Sequence, residues 1–464
     1  MDLPFLNPYL DSIGMPSFRK GCNFVAAWTT IFAATSASGC PFSFGVQVDQ
    51  FIRFKKLYDQ GAWNFWIQNS SPQGCYTHNV ALFGIDTSKL DELGFVSSHN
   101  ETAKVFNLQL HALYLNYPAV FNFGDSNSDT GEFAAGMGLL IGPPNGQKFF
   151  NTSSERECDG RLIVDFLMDG LGLPFLNSYL DSIGEPSFQK GCNFAASRST
   201  ILPATAPSRP FSFGVQVDQF IRFKTRVLEL LAKDTNIGKY VPTESSFQKG
   251  LYMFDIGQND LSVAFLNKSL DEILASIPTI LLEFETGITK LYDQGARNFW
   301  IHNTGPSGCL PAILSLFGTD PSKLDELGCV SSFNKAAKVF NLQLHALCKK
   351  LQGQYADANV TYVDIFAIKS NLVANYSQYG FKQPKMACCG YGGPPFNYNI
   401  EITCGQTKVL NGTSVTAKAC SNSAEYISWD GVHFTEAANK YVASQILTGK
   451  YSSPPFSDKK YVYF

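Results

Sequence analysis

The chain has 464 residues, of which 45% are hydrophobic and 16% charged, and its formal net charge is −3. This is the composition of a globular protein, long enough for two or three domains. It offers no basic field that would hold nucleic acid, and no window supplies the roughly 18 apolar residues that a membrane span needs.

The compartment signals disagree. The N-terminus begins Met1-Asp2-Leu3-Pro4 and has neither the basic nor the apolar region of a secretory signal. The 12 cysteines favour disulfides and an oxidising compartment. Asn-x-Ser/Thr sequons point the same way and occur at Asn69, Asn100, Asn151, Asn267, Asn359, Asn375 and Asn411. We therefore expect a secreted type of protein whose export signal is missing from this version of the chain.

An internal duplication dominates the organisation of the chain. Residues 3–24 recur at 173–194, residues 41–55 recur at 210–224, and residues 56–113 follow 290–347. The first copy lacks counterparts of 117–172 and of everything after residue 347, so several core strands have no equivalent in it. We predict a truncated, degenerate, loosely packed and non-catalytic duplicate over residues 1–114, a complete domain over 115–452 and a surface tail over 453–464.

The fuller copy alternates short apolar runs with segments of helical spacing. Such alternation predicts an α/β fold with a mostly parallel sheet covered on both faces. The predicted strands are Ala119–Phe123, Leu251–Ile256, Asn298–Ile301 and Val360–Phe366, and the clearest helices are Arg161–Leu171 and Thr435–Leu447.

Polar clusters follow two of these strands. Gly124-Asp125-Ser126 comes after the first, and Gly257-Gln258-Asn259 comes after the second. Ligands bind at the carboxyl ends of strands in open α/β sheets. A serine in such a turn presents its hydroxyl as a nucleophile, and its own N–H and the Asn259 amide can donate to a developing oxyanion.

A base for that serine is indicated by the spacing of Asp430 and His433. Among the six histidines, only His433 has an acid three residues before it, close enough for the carboxylate to orient the imidazole toward Ser126. Each pattern alone is more often a plain turn or a surface pair, and only their combination favours nucleophilic catalysis.

Two metal sites are weaker interpretations. Asp125, Asn127 and Asp129 have the spacing of a calcium loop, but no Gly/Glu continuation follows. The late cysteines at 388, 389, 404 and 420 lack a second Cys-x-x-Cys or histidine pair, so disulfides are favoured over zinc. We expect no metal.

Together these segments resemble the successive blocks of plant GDSL esterase/lipases, members of the SGNH hydrolases. The matching blocks are GDSNSDTG at 124–131, CDGRLIVDF at 158–166, GCNFAAS at 191–197, FDIGQND at 254–260 and YISWDGVHFTEAAN at 426–439. The resemblance covers residues 117–452, and the first copy contains only a version of GCNF.

The resemblance implies a three-layer α/β/α fold and ester hydrolysis through an acyl-enzyme, without metal or organic cofactor. Ser126 matches the nucleophile, and Asp430 and His433 match the acid and base. The oxyanion hole would comprise the Ser126 N–H, a block-II glycine N–H and Asn259, with Gly257 shaping its loop. A disulfide between Cys309 and Cys329 is expected in this copy.

The family is typically extracellular or in the cell wall and glycosylated, and it acts on small-molecule, cell-wall or lipid esters. The sequence predicts no nucleic-acid partner and leaves the oligomeric state open. The glycosylation candidates in the fuller copy are Asn151, Asn267, Asn359, Asn375 and Asn411.

The sequence departs from the family at the block-II glycine, where Arg198 stands. A glycine there allows close backbone approach and a positive φ. Arginine keeps the N–H, but its side chain could strengthen the oxyanion site, block the pocket or distort the loop. One alternative to an active esterase follows from Arg198, a weakened pseudo-esterase that binds a glycan or partner. Another follows from the duplication, a fused product of two tandem copies without stable function.

Overall fold

The computed structural model describes residues 7–8, 22–23, 90, 117–150, 155–181, 187–203 and 210–454. The chain divides into two compact units, Met1–Asn69 and Ser70–Phe464. In the first unit, strands β1 (Asn7–Pro8) and β2 (Cys22–Asn23) pair in parallel. Apart from residue 90, the rest of the predicted duplicate lies outside the described residues, as do the sequons at Asn69, Asn100 and Asn151.

A six-stranded sheet forms the centre of the second unit. Its members are β3 (Val120–Gly124), β4 (Gly191–Asn193), β5 (Leu251–Asp255), β6 (Asn298–His302), β7 (Asn359–Val363) and β14 (Ser452–Ser453), in the order β14-β7-β6-β5-β3-β4. All neighbours are parallel except β14, which runs antiparallel to β7. The mostly parallel sheet predicted from the sequence is confirmed.

Alternate residues along each strand feed two separate hydrophobic cores, as the period of two in a strand requires. Phe121 and Phe123 enter one core, whereas Val120 between them enters the other. β5 repeats the pattern, with Phe254 in the first core and Met253 in the second. Both faces are therefore buried, which explains why the strands read as continuous apolar runs.

Ten helices lie among the described residues. They are α1 (Glu132–Met137), α2 (Ile163–Gly170), α3 (Phe213–Lys233), α4 (Glu244–Lys249), α5 (Gln258–Ala264), α6 (Leu270–Asp293), α7 (Pro311–Phe317), α8 (Ser331–Gln354), α9 (Ile365–Ala374) and α10 (Glu436–Leu447). Short 3₁₀ turns occupy Thr235–Lys239, Ser307–Cys309, Pro321–Lys323, Tyr376–Tyr379 and Ser423–Glu425. In this part of the chain, no helix is both long and apolar enough to cross a membrane.

The helices cover the sheet from both sides. α3, α6 and α8 supply the aromatic-rich core that contains Phe121, while α2, α9 and α10 supply the core that contains Val120. This is the three-layer α/β/α arrangement that was expected. In the aromatic core, the ring of Phe123 stacks on Phe194 and Phe254, with centroids 5.3 and 5.2 Å away.

Three disulfides stabilise the loops around this sheet. They join Cys309 to Cys329, Cys388 to Cys420 and Cys389 to Cys404. The last two hold a region of small strands: β8 (Gln383–Ala387), β9 (Cys389–Gly390), β10 (Thr407–Leu410), β11 (Thr413–Thr416), β12 (Lys418–Ala419) and β13 (Tyr426–Ser428). β8 pairs with β13 and so anchors the loop that leads to α10.

Two boundaries differ from the sequence prediction. The fourth strand ends at Val363 rather than Phe366, because the side chain of Asp364 accepts a hydrogen bond from Ala367 N–H and starts α9. The tail was expected at the surface from residue 453. Ser453 instead belongs to β14 at the edge of the sheet, where its backbone pairs with Tyr362.

Candidate active site

Ser126 lies in a tight turn directly after β3. Gly124 ends that strand so close to β5 that a Cβ there would fall 2.7 Å from the carbonyl oxygen of Asp255. The carboxylate of Asp125 accepts hydrogen bonds from the backbone and side chain of Asn127, at 3.0 and 2.7 Å. These contacts fix the turn that presents the Ser126 hydroxyl.

His433 and Asp430 lie in the loop between β13 and α10. Asp430 Oδ1 accepts a hydrogen bond from the His433 backbone N–H at 2.8 Å, and Asp430 Oδ2 lies 2.7 Å from His433 Nδ1. The other ring nitrogen, Nε2, lies 2.7 Å from Ser126 Oγ. Residues 307 positions apart in sequence thus form one hydrogen-bonded chain from carboxylate through imidazole to hydroxyl.

The charges around the hydrogen-bonded residues Asp430, His433 and Ser126 favour a charged imidazole. Burial opposes a charge on His433, but the carboxylates of Asp430 and Glu157 outweigh that cost and raise the pKa of His433 to about 9. Burial alone would raise the pKa of Asp430, but the neighbouring imidazole lowers it below the ordinary value. The site therefore stabilises an ion pair between these two side chains.

Asn259 and Gly257 lie at the start of α5, after β5. Gly257 has a φ of 117°, and a Cβ at this position would fall 2.8 Å from the Phe340 ring. The Asn259 amide donates to the carbonyl oxygen of Ser199 at 2.9 Å. That bond occupies one amide hydrogen and leaves the other for a ligand.

Arg198 occupies the left-handed region, with a φ of 66°. The glycine expected at this position would permit a positive φ, and the backbone adopts one although a non-glycine residue is present. The Arg198 side chain is exposed, and its guanidinium lies over the ring of Phe133 in α1, 5.1 Å from the centroid. The loop therefore keeps a glycine-like conformation.

Two contacts around the loop could not be inferred from sequence. Ser197 donates its backbone N–H to Asp129 at 2.6 Å and its hydroxyl to Glu157 at 3.3 Å. The same carboxylate of Glu157 lies 3.2 Å from His433 Nε2. Glu157 is a single acid between Arg156 and Cys158 in the sequence, without a spacing that would single it out.

A buried charged cluster lies beneath the serine turn. Burial and the neighbouring Asp255 raise the pKa of Asp125 to about 7, and burial lowers the pKa of Lys369 despite both carboxylates. His302 Nδ1 lies 3.7 Å from Asp255. Among the described residues, no group of three or more His, Cys, Asp or Glu side chains could hold a metal ion.

A cleft of about 250 Å³ opens beside Ser126. Its lining includes the polar side chains of Asn127, Gln258 and Asn259. It also includes the apolar side chains of Leu310, Ile313, Leu316, Val373, Ile427, Val432 and Phe434. A ligand bound here can contact both the polar groups around Ser126 and an apolar surface.

The remaining predicted site residues are distributed over the surface and the loops. The Cys309 side of its disulfide borders the cleft. Of the glycosylation candidates, Asn267 is exposed and Asn411 lies in the β10–β11 turn, whereas the side chains of Asn359 and Asn375 donate to Asn298 and Asn371. Glycosylation of these asparagines stays a prediction.

Comparisons with known proteins agree on one family. The model of the GDSL-like Lipase/Acylhydrolase family matches residues 120–446. A GDSL esterase/lipase of Arabidopsis thaliana is 60% identical over 384 residues, covering 76% of this chain and 94% of the relative. A second, also named a GDSL esterase/lipase, is 58% identical and covers 73% of this chain and 89% of the relative. A relative named alpha-L-fucosidase 3, from the same plant, is 42% identical and covers 73% and 92%.

Proposed function

This chain belongs to the GDSL-like lipase/acylhydrolase family, and we propose that it is a serine ester hydrolase that works through an acyl-enzyme at Ser126. The observation that carries the proposal is the hydrogen-bonded chain from Asp430 through His433 to the Ser126 hydroxyl. A serine hydroxyl is a weak nucleophile until an adjacent base takes its proton.

The reaction proceeds by two acyl transfers. Ser126 Oγ attacks the ester carbonyl carbon while its proton moves to His433 Nε2, and the carbonyl π electrons move onto oxygen. Collapse of this tetrahedral intermediate breaks the ester C–O bond, and the leaving alkoxide takes the proton from Nε2. Water then repeats these steps against the acyl-serine and releases the acid. Asp430 orients the imidazole and stabilises its charged form.

Three donors are proposed to bind the oxyanion: the N–H of Ser126, the N–H of Arg198 and the free amide hydrogen of Asn259. Gly257 forms the turn at the start of α5, two residues before Asn259. Each such fixed donor typically raises kcat by a factor of about 10²–10³. The left-handed backbone at Arg198 supports its N–H in this role.

The lining of the cleft supports an uncharged ester with an apolar acyl or aryl group. Leu310, Ile313 and Val432 offer such a group a hydrophobic surface, and Asn127 and Gln258 add polar groups to the same lining. The substrate is therefore a small-molecule, cell-wall or lipid ester. The three disulfides and the extracellular type of the family support an extracellular or cell-wall location.

Hydrolysis of p-nitrophenyl acetate, butyrate and octanoate by the full chain tests this proposal. We expect turnover, labelling of Ser126 by a fluorophosphonate, and loss of both in Ser126→Ala. The matched control is Ser276→Ala, which alters a serine within α6 whose hydroxyl donates to the carbonyl oxygen of Ile273. Unchanged turnover in Ser126→Ala would refute the mechanism. p-Nitrophenyl α-L-fucoside should be assayed in parallel, because one relative bears a fucosidase name.

The binding-only alternative depended on Arg198 obstructing the oxyanion loop. The Arg198 side chain lies on Phe133 and the backbone keeps the left-handed turn. The alternative thereby loses the observation that motivated it.

A further inference from the structure

His433 Nε2 faces two oxygen atoms rather than one. Ser126 Oγ lies 2.7 Å away, and Glu157 Oε2 lies 3.2 Å away. Glu157 comes from the segment before α2, and it belongs neither to the serine turn nor to the loop that carries His433. A second carboxylate thus reaches the nitrogen that must accept the serine proton.

We propose that Glu157 is a positioning residue that stabilises the charged imidazole of His433 and thereby sets the pH at which this base becomes active. The inference rests on the proposed function, because it assigns Glu157 a role in that same proton transfer. It identifies a second acid acting on the base, on the opposite ring nitrogen from Asp430.

The reason is that Nε2 presents a lone pair in one protonation state of His433 and an N–H in the other. When His433 acts as a base, the Nε2 lone pair faces Ser126, and the Glu157 carboxylate meets a nitrogen without a proton. When Nε2 carries a proton, that N–H is attracted to both oxygens. An opposite charge within about 4–6 Å favours the charged form of an ionisable group. Glu157 therefore favours the proton that the base must lose before each attack.

Other ionisable groups also face this histidine and its acid. Asp430 contacts Nδ1, Asp125 approaches from the serine turn, and Tyr398 faces Asp430 from the disulfide-linked region. Lys369 from α9 faces Asp125 and offsets its charge. Glu157 differs from the buried Asp125 in its partial exposure: 26% of its side chain is accessible, so it can be altered without opening the core.

Glu157 also connects the base to the oxyanion loop. The Ser197 hydroxyl donates to the same Oε2 that faces His433. Ser197 directly precedes Arg198, whose N–H is one proposed oxyanion donor. One carboxylate thus contacts both the general base and the loop that stabilises the developing charge.

The decisive variant is Glu157→Gln, which keeps the shape and removes the charge. The acid limb of the pH profile of kcat/KM is expected to move to lower pH by about one unit or more, the usual size of such an effect. The matched control is Asp169→Asn, which removes an exposed charge at the end of α2 without contacting His433. An acid limb that stays within about 0.3 units of wild type in Glu157→Gln would overturn the inference.

A second measurement separates this inference from the proposed function. His433 is titrated by histidine-selective NMR, with its resonance assigned by its absence in His433→Gln. The His433 pKa should fall in Glu157→Gln and fall less in Glu157→Asp, whose charge is withdrawn by one methylene. An unchanged pKa refutes the role of Glu157 even if esterase activity is found. A lowered pKa without any turnover or Ser126 labelling supports the coupling and refutes the proposed function.

Discussion

Gln216 binds both backbone polar groups of Gly124. The Gly124 N–H donates to Gln216 Oε1 at 2.9 Å, and Gln216 Nε2 donates to the Gly124 carbonyl at 2.8 Å and to Ser199 Oγ at 3.0 Å. All three residues lie in the interior. A fully buried side chain of α3 therefore connects the end of β3, two residues before Ser126, to the oxyanion loop.

Replacing Gln216 with leucine should destabilise the protein and weaken catalysis together. The N–H and carbonyl of Gly124 would lose their hydrogen-bond partners in the interior. Each unsatisfied group costs about 1–3 kcal/mol of stability. Denaturant unfolding should show a loss of about 2–4 kcal/mol, with a lower kcat in the folded fraction. A variant as stable and active as wild type would mean that the bridge contributes nothing.

The left-handed backbone at Arg198 predicts opposite behaviour for two substitutions. Arg198→Gly keeps the N–H and adopts this conformation freely, so kcat/KM should stay within a few-fold of wild type. Arg198→Val introduces a β-branched side chain that disfavours this conformation. It should lower the free energy of unfolding by about 1–2 kcal/mol and lower kcat, because the loop must strain or move. Thermal unfolding and p-nitrophenyl butyrate kinetics measure both effects. Equal activity of the two variants would contradict the proposed role of this N–H.

Asn259→Ala should lower kcat by a factor of about 10²–10³ and leave KM nearly unchanged, because the amide acts on charge that develops only in the transition state. Steady-state kinetics separate the two constants. A rise in KM at constant kcat would instead assign Asn259 to substrate binding.

The raised pKa of His433 predicts a pH-dependent stability. The folded state holds the proton up to about pH 9, whereas the unfolded chain releases it near the ordinary value of 6.5. Between these values the folded state binds more protons, so stability falls as pH rises. The stabilisation is complete below about 6.5 and is lost through about 9.

This loss should amount to on the order of 2–3 kcal/mol. It is measured as the difference in unfolding free energy between wild type and His433→Gln across that pH range, which subtracts the other titrating groups. A difference that does not change between pH 6.5 and 9 would show that the imidazole is not charged in the folded protein.

The duplicated segment gives a prediction about proteolysis. The copy over residues 1–114 lacks sequence equivalents of β3 and of α10. It also has no counterpart of Asp430 or His433. Brief trypsin treatment should therefore remove this segment while a fragment beginning near residue 115 persists and is still labelled at Ser126. Mass spectrometry identifies the fragment. Loss of labelling at the same rate as cleavage within 1–114 would show that the duplicate supports the site.

Much of the architecture could be predicted because local pattern and global fold agree. The apolar runs at 119–123 and 251–256 read as buried strands because both of their faces are covered. The family blocks also pointed to Ser126, Asn259, Asp430 and His433 as candidate site residues, and the structure places the serine, histidine and Asp430 within hydrogen-bonding distance.

What could not be predicted depends on contacts between distant segments. Glu157 reaches His433 across 276 residues, and Gln216 reaches Gly124 across 92. Neither residue has a local spacing that reveals its partner. The conformation of the Arg198 side chain is equally invisible, since its position over Phe133 depends on where α1 lies. The sequence therefore points to the candidate nucleophile and base more readily than to the distant side chains that contact them.

The position of β14 has a consequence for the order in which the protein is made. Ser452 and Ser453 pair with Val363 and Tyr362 and occupy the edge next to β7. A chain emerging from the ribosome at about 5–20 residues per second exposes that edge until residues 452–453 have been released. His433 follows Ser126 by 307 residues, so the nascent protein can complete neither the six-stranded sheet nor the hydrogen-bonded chain from Asp430 to Ser126 before both late segments have been made.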